Sequence, residues 1–255
     1  NIPKYMDDKS LVFAISYSGN TEETVSSLRE AMKTGAKIIT LSSGGKLEEL
    51  AKMSDIPHIK VPAGIQPRQA IGYQFFPFLT ILQRLNIIQS RDEEIKNTKS
   101  TLKKNYEESS KEMAAKLQGK VPIIYSSTRM GVVAEKWKIS FNENSKTHAF
   151  YNFFPELNHN EMNANLNFNA DFHMIMIGDE DDHPKIKKRM KIMKSLVKEK
   201  GVDVTEMVIR VDSTLAKMFS GMYMADWTAY FLALLYETDP TPVEMVETFK
   251  KKLNE

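Results

Sequence analysis

Short apolar runs alternate along this chain with longer stretches in which apolar residues recur every three or four positions. Leu11-Val12-Phe13-Ala14-Ile15 reads as a buried strand over 11–16. Val25, Leu28, Ala31 and Met32 then share one face of a helix expected at 21–34. The same alternation continues as strand 37–42, helix 46–53, a strand near 57–62 and an apolar helix at 67–86, where Pro77 should kink or interrupt the helix. Residues 89–118 are polar, with sparse Ile95, Leu102, Tyr106, Met113 and Leu117, and read as a surface helix joining two halves. A second alternation follows. Strands are expected at 121–126, 147–152, 173–178 and 204–210, and helices at 129–142, 184–199, 214–237 and 242–253.

Strands that alternate with helices predict parallel sheets covered on their faces, an α/β fold. The halves share a plan: an apolar strand ends in serines and a helix begins. This divides the chain into an N-terminal subdomain at 1–90, a linking helix at 91–118 and a C-terminal subdomain with a final helix at 119–255. One continuous sheet is the alternative. The chain starts at Asn1 and enters its first strand almost at once, so an N-terminal segment is expected to be missing.

Composition narrows the function. Of 255 residues, 42% are hydrophobic and 27% charged, an ordinary globular balance. A net charge of +2 gives no reason to expect nucleic acid, and Lys185, Lys187, Lys188 and Arg189 read as a solvated helix face. The absence of cysteine excludes disulfides, thiol catalysis and iron–sulfur ligation, and is compatible with a cytoplasmic protein. No apolar run reaches the roughly 18 residues of a membrane span, and no signal peptide is visible. The five histidines include no H-x-H or H-x-x-x-H pair, which disfavours a metal site. No Walker loop or Rossmann glycine pattern occurs, so a dinucleotide cofactor is not supported.

The most telling stretch is Ser16-Tyr17-Ser18-Gly19-Asn20-Thr21-Glu22-Glu23-Thr24. It lies at a strand-to-helix turn, where free amides and the helix dipole favour a phosphate. Ser16, Ser18 and Thr21 supply hydroxyls, and Gly19 allows close backbone approach. Asn20 and Glu23 have capping-box spacing, so plain helix capping is the competing explanation.

This stretch resembles the SIS (sugar isomerase) domain turn that holds a sugar phosphate. Pro67-Arg68-Gln69-Ala70, Phe141 to Lys146, Pro155 to Glu161, Asp181-Asp182-His183-Pro184, and Thr241-Pro242 with Phe249-Lys250 follow in order. Together they resemble the bifunctional phosphoglucose/phosphomannose isomerases of archaea and some bacteria. That resemblance implies two SIS-like doubly wound subdomains. It also implies a metal-independent, cofactor-free isomerase that interconverts glucose 6-phosphate or mannose 6-phosphate with fructose 6-phosphate. The glycine-rich G-x-G-G-S turn that precedes the serine turn in the family does not occur here.

The resemblance makes Ser16, Ser18 and Thr21 the phosphate cradle, Glu156 the base and Arg68 the stabiliser of the enediolate. His183 becomes the ring-opening group, contributed to the neighbouring subunit of a homodimer. Lys250 is its acid/base partner, with a register uncertain by one or two residues, and Thr241 makes room for either C2 epimer. Partial burial beside Phe153 and Phe154 is expected to raise the Glu156 pKa. Glu143 and Glu161 compete with Glu156, and His159 competes with His183. His58, His148 and His173 read as core or surface residues. The apolar helices at 69–88 and 215–236, with Phe75, Phe76, Phe78, Trp227, Tyr230 and Phe231, suit either a dimer interface or an ordinary core. Other readings are a non-catalytic sugar-phosphate sensor and the isomerase half of an amino-sugar synthase.

Overall fold

A computed structural model describes residues 2–253. The chain divides into two compact units, residues 1–90 and 91–255. In the first, β1 (Leu11–Ile15), α1 (Glu22–Ala31), β2 (Lys37–Ser42), α2 (Gly45–Met53) and β3 (His58–Lys60) alternate. A 3₁₀ turn at Pro67–Gln69 then leads into α3 (Ile71–Arg84). The strands form a parallel sheet in the order β1-β2-β3, with Leu11 opposite Lys37 and Thr40 opposite His58.

Strand side chains alternate between two faces, and each face has its own core. Ala14 and Ile38 pack with Leu28 and Ala31 of α1 and Leu47 of α2. Leu41 packs on the other face with Tyr17, Val61 and Ala70. Phe13 meets Phe78 of α3 edge to face at 4.7 Å. Pro77 sits inside α3 without interrupting it.

The second unit opens with α4 (Asp92–Thr101) and α5 (Glu107–Leu117). Residues 91–118 thus form two helices rather than one linker. Both pack on α8 (Thr214–Leu235) within this unit. Between them and α8 run β4 (Val121–Ser127), α6 (Gly131–Glu143), β5 (Phe150–Phe154), β6 (Phe172–Gly178), α7 (Pro184–Glu199) and β7 (Asp203–Val208); α9 (Glu244–Leu253) follows. The parallel sheet has the order β5-β4-β6-β7, so the strand order reverses between β4 and β6.

One face of this sheet packs on α5, α6 and α8 through Ile124, Ile175, Ile177, Trp137, Phe141 and Leu232. Tyr125, Met174 and Met176 face the opposite way, onto Met190, Met193 and Val197 of α7. Trp137 is fully buried and donates its indole N–H to the Gly221 carbonyl at 2.9 Å. A Cβ on Gly221 would stand 2.7 Å from both Ile209 and Val133, so only glycine lets α8 approach this closely.

Glu48 ties α2 to β3. Its carboxylate pairs with Lys52 at 2.8 Å and accepts from Lys60 at 3.1 Å on each oxygen. The hydrogen bonds from Lys52 and Lys60 hold its pKa at about 2, against an ordinary value of roughly 4.3. Its contribution to stability is therefore present above the ordinary value and is lost as pH falls through about 2. Glu48→Gln should melt below wild type at pH 7, with the gap closing between about pH 4 and pH 2. A gap in Tm that does not change with pH would show that the pair does not titrate this way.

Candidate active-site residues

In the first unit the β1–α1 turn interlocks with the β2–α2 turn. Ser43 donates its N–H and its hydroxyl to the Tyr17 carbonyl, at 2.8 and 2.7 Å. Leu47 N–H donates to the Gly19 carbonyl at 2.9 Å. Asn20 does not form the expected capping box. Its Oδ1 accepts from Lys46 N–H at 3.1 Å in the first turn of α2, and its Nδ2 donates to the Ser18 carbonyl at 3.3 Å. Tyr17 extends the lattice to the loop after β3, donating to the Pro62 carbonyl at 2.9 Å.

Ser16, Ser18 and Thr21 share this turn. Ser16 is buried and its Oγ lies 2.8 Å from Thr21 Oγ1, while Ser18 and Thr21 are exposed. Thr21 is the N-cap residue of α1, yet its side chain makes no capping bond. The hydroxyls therefore sit beside first-turn amides that no side chain caps, the arrangement a phosphate requires. Arg68 lies in the 3₁₀ turn after β3, also beyond the carboxyl edge. It is half-buried, with Nη1 donating to Gln66 Oε1 at 3.3 Å.

In the second unit Glu156 follows β5 and His183 follows β6, with β4 between those strands. Both follow the carboxyl edge of one sheet, after strands that lie two spacings, about 10 Å, apart. Glu156 starts a 3₁₀ turn and is exposed. The partial burial expected from Phe153 and Phe154 does not occur, because Leu157 occupies the core position and Phe153 faces solvent. Asn160 Nδ2 donates to Glu156 Oε1 at 3.4 Å. Glu161 is committed elsewhere: it accepts from Tyr125 Oη at 2.7 Å and from Asn152 Nδ2 at 2.6 Å. Burial, and then this bond, push the Tyr125 hydroxyl pKa up.

His183 is the N-cap of α7, its Nδ1 accepting from Lys185 N–H at 3.2 Å. An accepting Nδ1 leaves the proton on Nε2. His159 is exposed in the turn after Glu156. His58 lies in β3 beside Thr40 Oγ1 at 2.8 Å, and His173 is buried in β6 against Thr205 at 2.8 Å.

Thr241 emerges at the other end of this unit, and the chain enters α9 from there. α8 starts after the carboxyl end of β7 and runs 22 residues, about 33 Å. It ends near the start of β4, where Gly119 N–H donates to Tyr236 Oη at 2.7 Å. Thr241 N–H donates to Asp239 there, at 2.8 Å. Lys250 is exposed on α9, a helix with no buried residue. The second unit therefore places Glu156 and His183 at one edge of its sheet and Thr241 at the other.

The sequence reading missed an ionic cluster beside His183. The Asp179 side chain is fully buried, accepting from Lys217 Nζ at 2.6 Å and Arg129 Nε at 2.7 Å. Asp181 accepts from the same two residues, at 2.9 and 3.5 Å. Burial works to raise the Asp179 carboxyl, but hydrogen bonds from Lys217, the Asp181 amide and Arg129 prevail and lower it. Burial likewise works to lower Lys217, and the two aspartates prevail to raise it. Among the described residues, no three His, Asp or Glu side chains gather as a metal-binding group, and no helix is long and apolar enough to cross a membrane.

Residues 2–80 match the SIS domain model, and residues 106–253 match that of the bacterial phospho-glucose isomerase C-terminal SIS domain. A bifunctional phosphoglucose/phosphomannose isomerase from Caldicellulosiruptor bescii is 41% identical, over 100% of this chain and 79% of that protein. The chain belongs to this isomerase family. Another family member, from Aquifex aeolicus, is 37% identical over 99% of this chain and 78% of its own length. A D-glucosamine-6-phosphate 4-epimerase from Sulfolobus acidocaldarius is 37% identical over 62% of this chain and 51% of its own. The family fold also recurs in the tagatose-6-phosphate ketose/aldose isomerase of Escherichia coli. That structure has a TM-score of 0.70 and 14% identity, over 92% of this chain and 71% of that one.

The interlocked turns can be tested by substitution. Gly19 has φ +70°, and a Cβ there would stand 1.8 Å from the Gly44 carbonyl oxygen. Gly35 has φ +77° but only a 3.4 Å contact, to Asp8. Gly35→Ala should cost about 1 kcal/mol, from backbone strain alone, and Gly19→Ala about 2 kcal/mol or more. Equal losses in urea unfolding would mean that the two turns do not constrain each other.

Proposed function

We propose that this chain is an aldose–ketose isomerase of the cytoplasm, interconverting glucose 6-phosphate or mannose 6-phosphate with fructose 6-phosphate without a metal. The observation that carries this reading is the 41% identity, along the whole chain, to a protein of that named activity. The turn at Ser16, Ser18 and Thr21 holds the phosphate through hydroxyls and uncapped amides. His183 and Lys250 open the ring. Glu156 takes the proton from C2 of the open aldose, and the C–H electrons form the C1–C2 double bond of an enediolate. Arg68 offsets the charge on its oxygens. The proton returns at C1, and a hydroxyl proton passes between O2 and O1, so atoms and electrons balance. Thr241 leaves space for either C2 epimer.

The exposure of Glu156 suits a base that completes its surroundings only with substrate bound. Within the second unit, the chain enters α9, the helix that carries Lys250, from the end remote from His183. That separation favours a homodimer in which His183 serves the neighbouring copy. Exposed Tyr223, Tyr230, Leu234 and Leu235 along α8 are consistent with such a contact. The same exposure and separation also support the rival reading, a module that binds sugar phosphate without turning it over.

The deciding assay follows fructose 6-phosphate in the presence of chelator, with product analysis that includes the C4 epimer. Aldose phosphates epimeric at C2 should form, and Glu156→Gln should lower kcat by about 10²- to 10⁴-fold. Binding without turnover in wild type would establish the sensor, and an active Glu156→Gln would remove Glu156 from the mechanism.

A further inference from the structure

We propose that Lys217, Asp179 and Arg129 are positioning residues that hold the loop carrying His183 in register for reaction. The proposal rests on the reading of His183 as the ring-opening group. Three successive strand-end segments meet at this loop. Gly178 closes β6, and Asp179 to His183 lead directly into α7. Lys217 comes from the second turn of α8, and Arg129 from the 3₁₀ turn between β4 and α6.

Every aspartate in the loop is occupied. Asp179 takes both cations and also accepts from Asp181 N–H at 3.1 Å. Asp181 takes the same two cations from the solvent side. Asp182 is buried, and its Oδ2 accepts from Asp179 N–H at 2.8 Å. Arg129 is tied further, donating from Nη2 to Thr214 Oγ1 at 2.9 Å. The loop thus cannot shift without breaking charge-assisted bonds, of which the Asp179–Lys217 bond is desolvated. Its last residue, His183, is fixed by the start of α7 through Lys185 N–H, which selects the tautomer with the proton on Nε2. A small displacement there would move the group that exchanges protons with the sugar, and misplacement of about 1 Å costs on the order of a hundredfold in rate.

The test uses the full chain, with kcat and KM for glucose 6-phosphate and the ¹⁵N shifts of the His183 ring, assigned by their loss in His183→Asn. Lys217→Met should lower kcat about tenfold or more, with KM within about twofold. It should also replace the single Nε2–H tautomer by a mixture. Lys217→Arg, which keeps a cation within reach of both aspartates, should recover most of the rate. A folded Lys217→Met with wild-type kcat and one His183 tautomer overturns the proposal. If Lys217→Met fails to fold, Asp181→Asn decides, because that carboxylate is 61% exposed and can be neutralised without stranding a buried charge. It should lower kcat about threefold and mix the tautomers, and wild-type values would overturn the clamp. Full turnover in His183→Asn would remove the ring-opening reading, while the tautomer measurement would still judge the clamp.

Discussion

Asp179 is a carboxylate whose side chain has no exposure, at the start of the loop between β6 and α7, a place it can hold only if its charge is met. Two cations meet it, one from the 3₁₀ turn after β4 and one from the helix after β7. A buried charge left alone costs several kcal/mol, so the positions of Arg129 and Lys217 are not independent of the loop that carries Asp179. Three strand-to-helix segments, after β4, β6 and β7, are thereby joined at one edge of the sheet. The pair and its neighbours cross-link the carboxyl edge, and that is the edge from which Glu156 and His183 leave.

The first unit solves the same problem without charge. Its two strand-end turns are joined by backbone carbonyls and the side chains of Asn20 and Ser43. Glycine at 19 is required because the neighbouring turn's carbonyl occupies the space of a Cβ. The hydroxyls of Ser16 and Thr21 contact each other rather than the helix amides. A turn built to cap its helix would use those amides; this one leaves them to water or to an anion.

Direction within the second unit separates the remaining residues. A helix after a parallel strand must return to the opposite edge of the sheet before the next segment begins. α8 is the last of these and returns about 33 Å, so the segment that carries Thr241 and leads into α9 starts at the amino edge. α9 buries none of its residues, and Val246, Phe249 and Leu253 remain exposed along it. Lys250 thus stands on a helix whose apolar side has no cover in this unit.

Much of this was legible in the residues. The period-two and period-3.6 patterns located α7 at 184–199 and β2 at 37–42, because burial on a sheet face or helix stripe is a local constraint. The serine turn and the ordered motifs led to the family, which the full-length relatives establish. Tertiary contacts decided the rest. Asn20 and Glu23 have the spacing of a capping box, but α2 lies close enough to take Asn20 instead. Phe153 and Phe154 promised Glu156 a buried setting, yet strand alternation turns Phe153 outward and Leu157 fills the core. Asp179, Arg129 and Lys217 are far apart in the chain and look like surface charges one at a time. The amino-acid sequence by itself determined the elements and the chemistry available at each strand end. Only the fold decided which charges share a desolvated site and which end of the sheet each residue occupies, because those depend on strand order and helix return, which no local pattern encodes.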